Sequence, residues 1–351
     1  MDMTFFIFLS SGLFLGWSLG ANDASNVFGT AVGTKMVSFK TAAVIASLFI
    51  TVGAVYAGAG ASETLGELGS INTLPGAFMA AFAAAISLYW MARDGLPVST
   101  SQAIVGAIIG WNVFADKPTH PEILSKIVST WIICPLLSGI IAVILYFFIR
   151  MLIRRSHLHI LRQDSYTRFG LIVAGAFGAY ALGANNIANV MGVFVPSSPF
   201  TNLDLGYGLV LTGTQQLFLL GALAICVGVF PYSHHVINTV GNNLMRMSPL
   251  VAFVVVLSQS IVLFLFASKS LEHFLLSHNL PALPLVPVSS TQAVIGAVMG
   301  IGLAKGGREL NWNILGHVAL GWIVTPIAAA LVCYISLFFL QNVFGQIVFL
   351  P

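Results

Sequence analysis

Charge is what this sequence lacks most. Only 7% of its 351 residues are charged, while 58% are hydrophobic, and the mean hydropathy is +0.95. A soluble domain carries roughly 25% charged residues, so this pool cannot build a water-facing surface. Cysteine is scarce as well. Cys134, Cys226 and Cys333 lie far apart in apolar surroundings, which excludes a disulfide framework and a metal-ligand spacing and leaves packing residues. The net charge of +3 is small and local, which excludes a nucleic-acid partner. Residues 1–20 have neither the basic region nor the small-residue cleavage site of a signal peptide, so they read as a first membrane helix. The apolar runs are long and continuous, not alternating, which excludes a barrel.

What is present is a series of such runs. A spanning helix needs about 20 apolar residues. Suitable stretches fall at 4–20, 41–60, 74–91 and 127–152, and again at 169–182, 209–230, 250–267 and 313–340. Two shorter segments, 99–114 and 289–304, open with polar residues and suit half-membrane helices or re-entrant hairpins. Between the two series lie Arg150, Arg154, Arg155, His157, His159, Arg162 and Arg168, the densest positive charge in the chain. The positive-inside rule makes the 150–168 stretch cytoplasmic, with a topology anchor as its plain role. Asp2 near the start and the uncharged tail after Leu340 place both termini outside. Each half then crosses an odd number of times. The expected fold is therefore an all-α polytopic membrane protein with two inverted-topology repeats and re-entrant or half-membrane helices. Residues 1–153 form the first repeat, 154–168 the basic linker and 169–351 the second repeat. The plasma (inner) membrane is the expected location.

The repeat is visible in the residues. Gly20-Ala21-Asn22-Asp23-Ala24-Ser25-Asn26-Val27-Phe28-Gly29 returns as Gly183-Ala184-Asn185-Asn186-Ile187-Ala188-Asn189-Val190-Met191-Gly192. Pro97-Val98-Ser99-Thr100-Ser101-Gln102-Ala103 returns as Pro287-Val288-Ser289-Ser290-Thr291-Gln292-Ala293. A weaker third pair joins Trp131 and Pro135 to Trp322 and Pro326 in the same order.

Both strong motifs are polar islands in apolar sequence, and polar groups at membrane depth default to functional sites. Pro97 and Pro287 disfavour helix in the residue before them, so the hydroxyl clusters that follow start helices. A helix start offers free N–H groups and partial positive charge, which suits an anion. Ser99, Thr100, Ser101 and Gln102, with Ser289, Ser290, Thr291 and Gln292, supply two donor sets that inversion would aim at one point. No lysine or arginine lies in these motifs. Neutral donors hold an oxyanion without the tight ion pairing that would hinder its release. Asn22, Asp23, Asn26, Asn185, Asn186 and Asn189, with unwound carbonyls, are hard oxygen ligands suited to a small cation. Burying Asp23 ionised and alone would be prohibitive, and Na+ or a proton would resolve that.

These motifs, taken together over essentially the whole chain, resemble the inorganic phosphate transporter (PiT) family, which is also similar to certain sulfate permeases. The resemblance implies secondary active phosphate uptake with Na+ or H+, no other cofactor, an inverted-repeat helical fold and a homodimer in the bilayer. It places the anion at Ser99, Thr100, Ser101, Ser289, Ser290 and Thr291. The asparagines and Asp23 help form the cation and anion sites, with Na+ at Asn22, Asp23, Asn185 and Asn186. One departure stands out. Family members commonly carry Asn-Asp in both halves, whereas the second copy here is Asn185-Asn186. A missing carboxylate acceptor weakens discrimination for protonated phosphate over sulfate, so sulfate or a related tetrahedral oxyanion stays open. A passive anion channel also stays open, because sequence does not reveal gating. An intramembrane enzyme is not expected, since Asp23 stands alone and the serines have no base nearby.

Other features have plainer readings. Gly106 with Gly110, and Gly296 with Gly300, read as close helix packing. His234 and His235 read as a loop or interface pair. Glu63 and Glu67 read as a solvated loop or the lining of an external vestibule.

Overall fold

The computed structural model describes residues 3–93, 98–156, 159–204, 206, 210–238, 245 and 247–350, without the side chains of residues 24, 92 and 231–238. Asp2, Pro97 and His157 lie outside the described residues, as do the side chains of His234 and His235. The first half comprises α1 (Met3–Gly33), α2 (Phe39–Ala57), α3 (Ala59–Leu68), α4 (Leu74–Arg93), α5 (Thr100–Phe114) and α6 (Pro121–Ser156). The second comprises α7 (Ile160–Met191), α8 (Gly213–Asn238), α9 (Pro249–Leu265), α10 (Lys269–Ser277), α11 (Ser290–Ala304) and α12 (Trp312–Asn342). A 3-10 turn (Gly192–Ser197) and a short antiparallel pair, β1 (Leu203–Asp204) and β2 (Val210–Leu211), join α7 to α8.

Seven of these helices are long and apolar enough to cross a membrane, and α9 with α10 adds an eighth candidate span bent by 68°. These match the eight apolar runs of the sequence. The outward faces carry the membrane signature. On α6, Ile132, Leu136, Ile140 and Ile144 recur every four residues and are exposed, and on α12 Leu320, Ile323, Ile327 and Leu331 recur every three or four and are exposed as well. Such a stripe is tolerable only against lipid, so the protein is an integral membrane protein of helical polytopic fold. At 15 residues each, α5 and α11 reach only about 22 Å, short of the ~30 Å hydrocarbon core.

The helix pairing repeats. In the first arrangement α1 packs along α8 and α5 along α12; in its counterpart α7 packs along α2 and α11 along α6. Glycines allow these approaches. A Cβ on Gly106 would strike the Pro326 carbonyl, and one on Gly296 the Pro135 carbonyl. Gly110 lies against Ala330 and Gly300 against Gly139, which matches the packing role expected for them.

Three details differ from the sequence expectation. Helix α1 runs unbroken through residues 20–29 and α7 through 183–191, so the Asn-bearing motifs are not unwound. Their side chains reach neighbouring segments instead, which leaves the helical backbone bonds intact. The basic stretch is largely helical: α6 continues to Ser156, and α7 begins at Ile160, where the His159 Nδ1 accepts from the Leu161 N–H at 3.3 Å. Residues 59–68 form α3, and Glu63 pairs there with Lys269 of α10 at 2.7 Å.

Candidate functional site

Helices α5 and α11 start in the same way. Ser99 is extended (φ −103°, ψ 116°) and its hydroxyl accepts from the Gln102 N–H at 3.2 Å. Ser289 is extended (φ −84°, ψ 116°) and accepts from the Gln292 N–H at 3.2 Å. Each cap satisfies one amide of the first turn, while those of Thr100, Ser101, Ser290 and Thr291 have no carbonyl one turn earlier to bond.

The two starts are laced to each other. Thr291 Oγ1 donates to the Val98 carbonyl at 3.0 Å, and Ser101 Oγ donates to the Val288 carbonyl at 3.0 Å. Asn26 Nδ2 of α1 donates to Ser290 Oγ and Thr291 Oγ1, both at 3.0 Å. Asn189 Nδ2 of α7 donates to Ser101 Oγ at 2.9 Å. Each asparagine therefore serves the hydroxyls of the other half. Residues 76 to 265 positions apart in sequence form one buried polar cluster. Among the described residues, every sequence-predicted site residue is buried.

The next shell is less regular. Asn22 Nδ2 donates to the Val98 carbonyl at 2.8 Å and to Asp23 Oδ1 at 2.6 Å, and Thr100 Oγ1 donates to Asp23 Oδ2 at 3.1 Å. In the second half, Asn185 Nδ2 donates to the Val286 carbonyl at 3.1 Å, and its Oδ1 accepts from the Val288 N–H at 2.9 Å. Asn186 Oδ1 accepts from Asn189 Nδ2 at 2.9 Å. No ion pair of Asp23 occurs among the described residues.

Several buried polar atoms in this cluster have no protein partner. They are the oxygens Asn22 Oδ1, Asn26 Oδ1, Asn189 Oδ1, Gln102 Oε1 and Gln292 Oε1, and the donor Asn186 Nδ2. Buried polar atoms left unpaired are costly, so a ligand is the natural partner. The oxygens suit a hard cation, while the first-turn amides and hydroxyls suit an anion. No group of three or more His, Cys, Asp or Glu gathers among the described residues, so soft-metal chemistry has no donor set here.

Residues from other elements complete the cluster; sequence reading did not single out Gln259 or Ser138, and it read Cys134 only as a packing residue. Gln259 of α9 is fully buried and its Nε2 donates to the Asn26 carbonyl at 2.5 Å. Ser138 of α6 donates to the Ala293 carbonyl at 2.6 Å, and Cys134 Sγ donates to the Ser289 carbonyl at 3.7 Å. The available signal was Ser258-Gln259-Ser260 inside a valine-rich run, another polar island at membrane depth.

Comparison with known proteins places this geometry. The profile described as the phosphate transporter family matches residues 19–165 and 159–333. A Methanocaldococcus jannaschii protein named "Putative phosphate permease" is 25% identical, with 92% of this chain and 93% of that one covered. Like-named proteins of Haemophilus influenzae (25% identical, covering 95% and 96%) and Thermococcus kodakarensis (24%, covering 95% and 96%) align as extensively. Among solved structures, one described as the sodium-dependent phosphate transporter superposes with a TM-score of 0.73 at 22% identity, over 97% of this chain and 99% of that one. The profile match spans nearly the whole sequence, both polar motif pairs included: the chain belongs to the phosphate transporter family.

Proposed function

We propose that this protein is a secondary active transporter that carries inorganic phosphate across the plasma (inner) membrane together with Na+ or H+. The observation that carries the proposal is the reciprocal lacing of the two half-helix starts, Ser101 to Val288 and Thr291 to Val98. It supports one shared site contributed equally by both halves.

In this reading the anion lies against the first turns of α5 and α11. The first-turn amides of Thr100, Ser101, Ser290 and Thr291 donate to its oxygens, and the positive ends of both helix dipoles face it; the hydroxyls of Thr100, Ser101 and Thr291, whose protons go to Asp23 and to the Val288 and Val98 carbonyls, shape the cradle around it. Ser99, Ser289, Gln102 and Gln292 hold those first turns in shape. The coupling cation lies on the Asp23 side, where the free oxygens of Asn22 and Asn26 accompany the carboxylate. Asn185, Asn186 and Asn189 form the second-half counterpart. A cation there offsets both the buried charge of Asp23 and its repulsion of the substrate. That mutual compensation is the physical basis for coupling: neither ion is well accommodated alone. Neutral donors keep anion binding reversible, as turnover requires.

The membrane orientation belongs to the same proposal. The two repeats are inverted, both ends of the chain face the outside, and the basic stretch near Arg154, Arg155 and Arg162 faces the cytoplasm.

Proteoliposomes test the function. With a Na+ gradient and a pH gradient imposed separately, phosphate uptake saturates and accumulates above equilibrium in at least one case. Uptake that only follows the phosphate gradient, whatever the cations do, identifies a channel and overturns the proposal.

A further inference from the structure

Helices α2 and α7 run parallel and touch backbone to backbone over part of their length only. A Cβ on Gly53 would strike the Tyr180 carbonyl, one on Gly183 would strike the Ile50 carbonyl, and Gly58 lies against Ile187. On the N-terminal side of these contacts the pair splays apart. The gap is a groove of about 690 Å³, lined by Ile45, Phe49 and Val52 of α2 and by Ile172, Ala176 and Phe177 of α7. Phe49 and Val52 are each 36% exposed, so the groove opens towards lipid. From Ile172 to Tyr180 it runs about 12 Å along the helix axis, within the ~15 Å depth of one hydrocarbon leaflet. A single acyl chain has that shape and that chemistry.

The charge at the splayed end says which lipid. Lys40 precedes Ile45 by five residues and Arg168 precedes Ile172 by four, so both lie about 6–8 Å beyond the groove on the same side. Helical spacing puts Arg168 on one face with Ile172 and Ala176, and Lys40 on one with the exposed Val44 and Leu48 beside the groove. Both cations are exposed, and neither forms an ion pair among the described residues. Lys35 and Arg162 add positive charge at this end, against Asp164 alone. Tyr166, exposed less than a turn from Arg168, is the kind of amphipathic ring that settles at the headgroup level.

We propose that the α2–α7 groove is a binding site for an anionic phospholipid, with an acyl chain in the groove and the headgroup phosphate held by Lys40 and Arg168. Both side chains have apolar stems long enough to lie along the helices while their charged ends meet the phosphate. A zwitterionic lipid brings its own cation to the same place and gains less. A second copy of the chain, placed here by a two-fold axis along the membrane normal, would bring these cations against their own copies, so the charge favours lipid. In the orientation proposed above this is the cytoplasmic leaflet, whose surface is the anionic one. Only the choice of leaflet rests on that orientation, and the site is independent of what the protein carries.

The test titrates dioleoyl phosphatidylglycerol or dioleoyl phosphatidylcholine into the full chain purified in non-ionic detergent and reads the melting temperature. Phosphatidylglycerol should reach its half-maximal shift at a concentration roughly tenfold or more below that of phosphatidylcholine. Lys40→Gln and Arg168→Gln should each raise the phosphatidylglycerol concentration about fivefold, the worth of one cation near a membrane surface. Arg154→Gln, an equal loss of charge on α6, which packs on α9 and α11, should leave it unchanged. Ala176→Leu fills the groove and should abolish the shift. Equal potency of the two lipids, or an R154Q effect as large as that of R168Q, reduces the binding to general surface attraction and overturns the inference. An A176L protein that keeps the full shift overturns it as well, and one that turns a dimer into a monomer assigns the groove to a second copy instead. Should A176L not fold, the three exposed charge variants decide alone.

Discussion

Asp23 is where a single side chain decides most. It is 2% exposed, accepts from Asn22 and Thr100 and has no ion-pair partner among the described residues. Asp23→Asn removes the charge but keeps the shape, and the Thr100 hydroxyl can turn to accept from the new amide. The expected outcome is loss of cation-driven phosphate uptake with the fold retained, read as a melting temperature within a few degrees of wild type. Uptake at the wild-type rate would remove Asp23 from coupling. At this scale the sequence was informative because polarity at membrane depth is rare and stands out: Asn22, Asp23, Asn26 and their counterparts were all visible. Gln259 was missed because one glutamine in a valine-rich run has no repeated partner to mark it. The side-chain pairings were also illegible, since Asn26 bonds a hydroxyl 265 positions away and only the fold brings them together.

Elements depend on backbone contact more than on side-chain volume. Helix α5 touches α12 at Pro326 and α11 touches α6 at Pro135, each through a glycine with no room for a Cβ. Gly106→Ala and Gly296→Ala should each destabilise by about 1–3 kcal/mol, the usual cost of overpacking, and by similar amounts because the contacts are equivalent. Gly316→Ala on α12, where nothing lies within 4 Å, is the control and should be neutral or slightly stabilising. Thermal unfolding in detergent checks all three, and equal melting temperatures across them would refute the packing role. The eight long spans and two short helices were legible as apolar runs. Helices α3 and α10 were not, because neither is apolar enough to announce itself. Lys269 and Glu63 join them by an ion pair, and Thr64 Oγ1 donates to the Leu285 carbonyl at 2.6 Å, tying α3 to the strand-like approach to α11. The expected unwinding of the Asn motifs failed for a related reason. Extended backbone before α5 and α11 supplies the irregularity, so α1 and α7 can stay helical.

For the whole molecule the testable property is orientation in the bilayer. The proposed inverted arrangement would put the α6 end and the chain's final residues on opposite faces. In a background with Cys134, Cys226 and Cys333 replaced by alanine, Ser156→Cys should resist a membrane-impermeant maleimide until cells are permeabilised. Gln346→Cys should label in intact cells. Both positions are exposed, so accessibility is set by sidedness. Labelling of both from the same side would dismiss the inverted arrangement.

The central claim is that both halves build one site. Calorimetric titration of phosphate into the purified protein, with and without Na+ at two pH values, tests it most directly. The expected result is one anion per chain, bound more tightly with Na+ or at the lower pH, and lost in both Ser101→Ala and Thr291→Val. Two independent anions per chain, or binding that survives both substitutions, would contradict it.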